Sequence, residues 1–216
     1  MGYDDCHSQG RNAPVRSDAR QKMIESAVTL LAIGGLQGTA FSDVLDRSGA
    51  PRGSIYHHFP GGKDQLIDAA IGVAGDRALR VLDAVDGAPP VEVTSYFLEL
   101  WRQILTRSNL RAGCAVLAVS VASDSTDLLD HAASVFRAWR ARLADLYVDG
   151  GVDPAEAGRF AATLVAASEG AVVMSRAERS LDPFEDVAAQ LIELTPTRRR
   201  SRGSRNRKRD QAAEEA

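Results

Sequence analysis

A short segment, residues 51–66, concentrates side chains that donate hydrogen bonds or carry positive charge. Its sequence is PRGSIYHHFPGGKDQL, in which Arg52, Ser54 and His57 are expected to be exposed around a core position, Ile55. Guanidinium, hydroxyl, ammonium and imidazole N–H groups are the donors that proteins present to phosphate oxygens and base edges. The composition of the segment therefore predicts contacts with a nucleic acid. The candidate residues are Arg52, Gly53, Ser54, Tyr56, His57 and Lys63.

The residues before this segment predict the element that positions it. An amphipathic helix at about 42–47 is followed by a tight turn at residues 48–50, and Pro51 suits the first position of a second helix that extends to Phe59. Two short helices joined by a glycine-containing turn are typical of the helix-turn-helix. Arg52, at the start of the second helix, could then pair with a guanine edge or contact a phosphate. Gly53 either lets the backbone approach DNA closely or serves turn geometry alone.

Other chemistries fit this sequence less well. His57 and His58 are adjacent, so on a helix they point about 100° apart and do not converge on one metal ion. The run before Lys63 lacks the first glycine of a phosphate-binding loop, where His57 stands, and the Ser or Thr after lysine, where Asp64 stands. We find no nucleophile elbow, paired-carboxylate motif or zinc-protease motif. The sequence therefore predicts no catalytic residue, no metal site and no cofactor.

The segment 51–66, after an amphipathic helix that ends at Gly34-Gly35, resembles the TetR family of one-component regulators. The start SGAPRGS, the double glycine before Lys63 and a later segment, EGAVVMSRAERSLDPFEDVAAQL at 169–191, are similar to the lincomycin-resistance-repressor-like subgroup. The resemblance covers about residues 18–194. One position departs from the family pattern: Ala40 stands where the family usually has a hydroxyl that caps the second helix. The cap is then expected from Thr39 or Ser42.

The resemblance assigns roles to several of the candidates. Tyr56 and His57 have the position of phosphate-contacting residues, although Tyr56 could instead pack partly in the core. Lys63 adds a cation to the positive N-terminal end of the next helix, which suits one more phosphate. Thr39 and Ser42 are candidates for further DNA contacts, with helix capping as the alternative.

The rest of the chain holds most of the aromatic residues, which suit either an ordinary core or a small-molecule pocket between helices. The resemblance favours a pocket for a largely apolar effector. Arg140 and Glu169 could be its polar groups, or could lie on exposed faces or pair with each other. The expected lining residues are Phe97, Trp101, Ile104, Leu117, Phe136, Trp139, Arg140, Glu169 and Val173.

A segment at 161–171 is rich in alanine and glycine, and small residues let two helices approach closely. With the last helix, it is similar to the dimer interface of the family, so a homodimer through the last two long helices is expected. Tight packing inside one subunit is the alternative.

Charge is divided along the chain. Residues 1–66 hold seven basic and seven acidic side chains, and residues 67–195 hold 11 basic and 19 acidic ones. Residues 196–216 hold eight basic and three acidic side chains, and they either form a solvated tail or bind phosphates without sequence preference. Residues 67–195 are acidic and would repel DNA, whereas residues 1–66 are neutral. This division indicates that DNA binding depends on a few specific contacts. The absence of a long apolar run or a secretory signal predicts a cytoplasmic protein with no membrane contact.

The periodicity of apolar residues predicts an all-α fold of about nine helices. The first helix is expected from Asp18 to Ile33 with Ser17 as its N-cap. The apolar run 114–122 could be a strand, but a partner strand is lacking, so a buried helix is expected. The predicted division is a disordered arm at 1–17, a helix-turn-helix domain at 18–62, a helical effector-binding and dimerisation domain at 63–194, and a disordered Arg-rich tail at 195–216.

The sequence thus predicts a homodimeric repressor of a pseudo-palindromic double-stranded DNA operator that is released by a small molecule. Three alternatives remain: an activator, an architectural DNA binder that uses the Arg-rich tail without an effector, and an enzyme that uses the pocket expected in the domain at 63–194.

Overall fold

The computed structural model describes residues 13–197, with side chains from residue 18. The predictions for residues 1–12 and for the Arg-rich tail from residue 198 lie outside this range. Within it the chain forms helices and no strand, as expected. The helices are α1 (Ala13–Gly34), α2 (Phe41–Ser48), α3 (Ser54–His58), α4 (Gly62–Leu82), α5 (Pro90–Arg107), α6 (Ala115–Ala122), α7 (Thr126–Asp149), α8 (Pro154–Glu178) and α9 (Asp182–Glu193).

Helix α1 begins earlier than predicted. It starts at Ala13 rather than Asp18, so Ser17 lies within the helix and is not its N-cap. Its end agrees with the prediction, because Gly35 follows with a φ of +68°, a backbone conformation that favours glycine. Its apolar face, which includes Met23, Ile24 and Leu31, is buried.

Helix α2 follows as a short helix whose Val44 and Leu45 side chains are buried. Neither Thr39 nor Ser42 caps it: its N-cap residue is Ala40, and no side chain accepts a hydrogen bond from its first turn. That part of the prediction is wrong. Gly49, with a φ of +68°, closes the C-terminal end by donating its N–H to the carbonyl of Leu45.

Helix α3 is shorter than the nine residues predicted. Arg52 and Gly53 form a turn, closed by a 2.9 Å hydrogen bond from the Ser54 N–H to the Pro51 carbonyl, so the helix begins at Ser54 and Pro51 lies outside it. Glycine costs about 1 kcal/mol relative to alanine inside a helix, which favours the turn at this point.

Helix α4 links the three N-terminal helices, here called the head, to the remainder, here called the body. Its 21 residues span about 30 Å. It packs on both α1 and α7. A single helix therefore belongs to both cores, as its long apolar stripe predicted.

The helix predicted at 114–122 is confirmed as α6. The thiol of Cys114 accepts a hydrogen bond from the Leu117 N–H and caps it, and the helix packs on α1, α4 and α7. Helix α8 starts where predicted: the Asp153 carboxylate accepts from the N–H groups of Ala155 and Glu156, and Pro154 occupies the first helical position.

Helix α8 is also, by length and composition, the one described helix that could cross a bilayer. Its mean hydropathy over 18 residues is 1.2, and 50% of that window is buried inside the protein. Its buried face packs on α5, α7 and α9, as the core helix of a helical domain does.

Candidate DNA interface and effector site

Helix α3 and the turn before it have two distinct faces. Ile55 and Phe59 are fully buried, and the guanidinium of Arg20 from α1 lies 5.3 Å from the centre of the Phe59 ring. Arg52, Gly53 and His57 are exposed, and Tyr56 is 67% exposed. The buried face fixes α3 on the head, so the donors on the other face are available to a partner.

Tyr56 does not pack in the core, which was the alternative to DNA contact. Its ring meets the ring of Phe41 edge to face, with the centroids 5.6 Å apart. An edge-to-face pair of this kind is worth about 0.5–1.5 kcal/mol beyond burial. Phe41, at the start of α2, thereby orients Tyr56 on the exposed surface.

The three other hydroxyl candidates differ in exposure. Thr39 is 1% exposed and donates its hydroxyl to the carbonyl of Gly35 over 2.8 Å, so it cannot reach a DNA backbone. The prediction of Thr39 as a DNA contact is wrong, because its side chain closes the loop between α1 and α2. The Ser54 hydroxyl is half-buried and donates to the Pro51 carbonyl. Ser42 is exposed in the first turn of α2.

Lys63 has an internal partner that the sequence did not predict. Its Nζ donates to the carbonyl of Leu36 over 2.8 Å, which ties the start of α4 to the loop between α1 and α2. An ammonium has three donors, so this bond leaves capacity for a phosphate. Lys63 therefore has a structural part in holding the head together.

His57 and His58 pack edge to face with their ring centres 5.4 Å apart. Across residues 13–197, no group of three His, Cys, Asp or Glu side chains is placed to hold a metal ion.

The predicted pocket residues do not line one cavity. Phe97, Trp101, Trp139 and Glu169 are buried, and Leu117 and Phe136 are half-buried. In contrast, Ile104 is 41% exposed and Val173 is 49% exposed, so these two face away from the interior. The periodicity of α5 and α8 identified apolar positions but did not tell which of them meet another helix of the same chain.

Arg140 also lies on an exposed face, and its Nε donates to the carbonyl of Phe136 on its own helix. It forms no ion pair with Glu169. The alternative in which the two residues neutralise each other is therefore wrong.

Two cavities have linings that differ from the predicted set. One, of about 160 Å³, runs between α4 and α7 and includes Gly72, Leu79, His131 and Trp139 in its lining. The other, an open hollow of about 430 Å³, is lined by Ile33, Leu110, Arg111, Arg176 and Ala177. Of the predicted pocket residues, Trp139 is the one that lines either of these two cavities.

Glu169 is the most unusual side chain of the body. It is 6% exposed, and neither carboxyl oxygen has a hydrogen-bond partner among the described residues. Burial raises its pKa from 4.5 to about 7, and the adjacent Cys114 thiol lowers it slightly without meeting hydrogen-bond geometry. Burial and the neighbouring Glu169 together raise the pKa of the Cys114 thiol well above its ordinary value.

Sequence reasoning assigned no role to Cys114. It lies 55 positions before Glu169 in the chain, and the signal that could have identified it was its place at the start of an apolar run that begins a helix. Its neighbour Gly113 donates its N–H to the carbonyl of Ala32 over 2.7 Å, and Arg176 on α8 donates to the carbonyl of Ile33 over 3.0 Å. Both bonds join the body to the last turn of α1.

A three-helix head with an exposed helix-turn-helix, carried by a long shared helix on an all-helical body, defines a DNA-binding transcriptional regulator. Two family models match the chain: "Bacterial regulatory proteins, tetR family" over residues 23–70, and "Transcriptional regulator LmrA/YxaF-like, C-terminal domain" over residues 90–190.

An uncharacterised HTH-type transcriptional regulator of Mycobacterium tuberculosis is 37% identical over 182 residues, which cover 81% of this chain and 93% of the relative. The HTH-type regulator YxaF of Bacillus subtilis is 27% identical, over 82% of this chain and 94% of its own. The HTH-type repressor KstR2 of Rhodococcus jostii is 38% identical over 53 residues, 24% of this chain and 26% of its own.

Solved structures agree in fold. A TetR regulator from Chloroflexus aurantiacus superposes with a TM-score of 0.70 at 27% identity, over 84% of this chain and 96% of that one. A TetR regulatory protein from Rhodobacter sphaeroides gives 0.73 at 23% identity, over 81% and 97%. The chain belongs to the TetR family of transcriptional regulators, and its body to the LmrA/YxaF-like branch.

Proposed function

We propose that this protein is a ligand-responsive repressor that binds a pseudo-palindromic operator as a homodimer. The observation that carries the proposal is the two-faced α3, with Ile55 and Phe59 fully buried and Tyr56 67% exposed beside Arg52 and His57. A recognition helix of this kind lies in the major groove, where its N-terminal residues contact base edges. The residues proposed to contact DNA are Ser42, Arg52, Gly53, Tyr56, His57 and Lys63, with Ser54 positioning the turn.

Dimerisation is supported by one face of α8. Ala166 and Gly170 are exposed, and Val173 and Met174, one turn further along, are 49% and 43% exposed. A Cβ added to Gly170 would meet no atom within 4 Å, so space for a second helix lies over it. Ala161 and Ala171 are fully buried and pack inside the subunit, so the small residues of α8 serve both purposes.

Repression is supported by the name of one relative, an HTH-type repressor that matches 24% of this chain. The aromatic residues of the body and the unpartnered Glu169 support an effector site between helices. We assign the head to residues 18–62 and the body to residues 63–194. We expect the protein to act in the cytoplasm. Two heads in successive major grooves would lie about 34–36 Å apart.

Selection of bound sequences from random double-stranded DNA tests the proposal. We expect an inverted repeat whose half-sites are separated by about 10 base pairs or a multiple of that distance. Footprinting of the same repeat should show protection on one face of the duplex. Selected DNA without an inverted repeat, or a protein that stays monomeric in equilibrium sedimentation at the binding concentration, would contradict the dimeric repressor.

An architectural DNA binder is the second candidate, and the eight basic residues between 196 and 216 favour it. Deletion of residues 198–216 separates the two. The operator preference should survive if α3 provides the specificity, whereas affinity for all sequences should fall together if the tail provides the binding.

A further inference from the structure

Glu169 carries a burial cost that no hydrogen bond from residues 18–197 compensates. Among the described residues, its two carboxyl oxygens are the buried side-chain oxygens or nitrogens that lack a hydrogen-bond partner. The other buried polar groups of the body are paired: Thr94 with Tyr147 and Thr195, Ser168 with the carbonyl of Leu164, and Ser175 with the N–H of Phe184. A buried polar group without a partner costs several kcal/mol, about 1–3 for one hydrogen bond and more for a charge.

No cation in the part of the chain that the structure describes forms an ion pair with this carboxyl group. Arg140 donates to Phe136 on the exposed side of α7, and Arg176, two turns further along α8, donates to the carbonyl of Ile33. The Cys114 thiol beside the carboxyl is a weak donor and does not reach hydrogen-bond geometry. The described residues therefore supply no donor for Glu169.

The surroundings of Glu169 indicate what kind of donor fits. Val165 and Val172 lie one turn away on the same face of α8 and are buried, so the walls beside the carboxyl are apolar. Residues 67–195 hold 11 basic and 19 acidic side chains, a net charge of −8 that favours the approach of cations over anions.

We propose that Glu169 is the anchor of the effector site and that it binds an effector with an apolar body and a protonated amine. This inference rests on the proposed ligand response. Binding exchanges the carboxyl proton, released to solvent, for an ammonium–carboxylate pair inside the body.

The position of the anchor connects it to the head. The Cys114 thiol caps α6, and the preceding residue, Gly113, holds the last turn of α1 through its 2.7 Å hydrogen bond to Ala32. Helix α6 itself packs on α1, α4 and α7. An effector that enters beside Glu169 displaces the start of α6, because the thiol that caps this helix lies next to the carboxyl. That displacement moves the contact with α1 and so the orientation of the head.

A matched pair of probes tests the anchor in the full chain without DNA. Naphthylethylamine carries the proposed cation, and ethylnaphthalene has the same apolar body without it. Binding is measured by quenching of the two tryptophans, Trp101 and Trp139, both buried in the body. We expect the wild type to prefer the amine by about tenfold or more, since hydrogen bonds to charged groups are stronger than those between neutral groups.

The variant Glu169→Gln keeps the shape of the side chain and should lose this preference. Glu178→Gln, an exposed change on the same helix, should keep it. Equal preference in the wild type and Glu169→Gln, or no preference for the amine in the wild type, would overturn the proposal.

Calorimetry of the wild type in two buffers of different ionisation heat gives a test that needs no variant. Near pH 7, binding of the amine should release part of one proton per site, whereas binding of ethylnaphthalene should release none. If the binding enthalpies of both probes depend equally on the buffer, the proposal is also overturned. Operator release is measured separately. An amine that binds through Glu169 but leaves the DNA complex intact would keep the anchor and contradict the ligand-responsive repressor.

Discussion

The indole Nε1 of Trp139 donates to the carbonyl oxygen of Gly75 over 3.1 Å, and this bond joins α7 of the body to the middle of α4. The approach of the two helices is close, because a Cβ built on Gly75 would lie 2.8 Å from Cγ1 of Val135. The helix that carries the head is therefore held against the body at a position where only glycine fits. The proposed effector response would have to change this contact if it moves α4 relative to the body.

Gly75→Ala should destabilise the protein. The added methyl group overlaps the branched side chain of Val135, and overpacking of this kind costs about 1–3 kcal/mol, partly offset by about 1 kcal/mol of helix propensity. Urea unfolding measures the difference. Gly72→Ala, one turn earlier, meets only the edge of His131 at 3.3 Å and should be within about 1 kcal/mol of the wild type. Equal losses in both variants would show that the contact with Val135 is not the cause.

Arg52→Ala should relax the base preference at one position of each half-site. Loss of a bidentate contact to a base edge costs about 1–3 kcal/mol of discrimination. Quantitative binding to a library of single-base operator variants measures it. If the variant instead weakens binding to all sequences by the same factor, Arg52 contacts a phosphate.

Lys63→Met should show two effects, because the ammonium has two proposed partners. It should weaken binding to all DNA sequences alike and reduce the salt dependence of binding. It should also lower the free energy of unfolding by about 1 kcal/mol, since the bond to the Leu36 carbonyl is lost. If Lys63→Met is as stable as the wild type but shows the expected reduction in the salt dependence of DNA binding, the ammonium leaves the Leu36 carbonyl when the protein binds DNA.

Tyr56→Phe should weaken DNA binding without changing stability. The phenyl ring keeps its edge-to-face contact with Phe41, while the hydroxyl proposed to contact phosphate is lost. Binding should fall by about 0.5–1.5 kcal/mol on operator and non-operator DNA alike. Tyr56→Ala is the matched variant: it removes the ring as well, and should lose both DNA affinity and part of the stability of the head. A Tyr56→Phe protein with wild-type affinity would remove the hydroxyl from the interface.

Glu169 should make the stability of the protein fall as the pH rises. Its pKa is about 7 in the folded chain and 4.5 for an ordinary glutamate, so the folded state binds the proton more tightly between these values. Its contribution is therefore most favourable below pH 4.5 and falls by about 3 kcal/mol as the pH rises through 7. Urea unfolding of the wild type and Glu169→Gln between pH 5 and 8 measures the difference between their free energies of unfolding. The contributions of the other acidic residues cancel in this difference.

The local sequence contained enough to predict much of the fold. Asp153 and Pro154 predicted the start of α8, and Gly34-Gly35 predicted the end of α1. Because no partner strand was expected, residues 114–122 were correctly predicted to form a helix. These features depend on backbone conformation and on hydrogen bonds over a few residues. The sequence also predicted that Arg52, Ser54 and His57 are exposed around a buried Ile55, and the structure agrees except that Ser54 is half-buried.

The tertiary structure alone decided which faces meet. It buried Thr39, tied Lys63 to Leu36, turned Ile104 and Val173 outward, and set the Cys114 thiol beside Glu169 across 55 positions of sequence. Periodicity marks a side chain as apolar or polar, but it does not say which neighbour covers it. The partner of each helix face depends on the packing of all the helices at once, and within residues 18–197 that packing leaves one buried carboxyl, Glu169, without a partner.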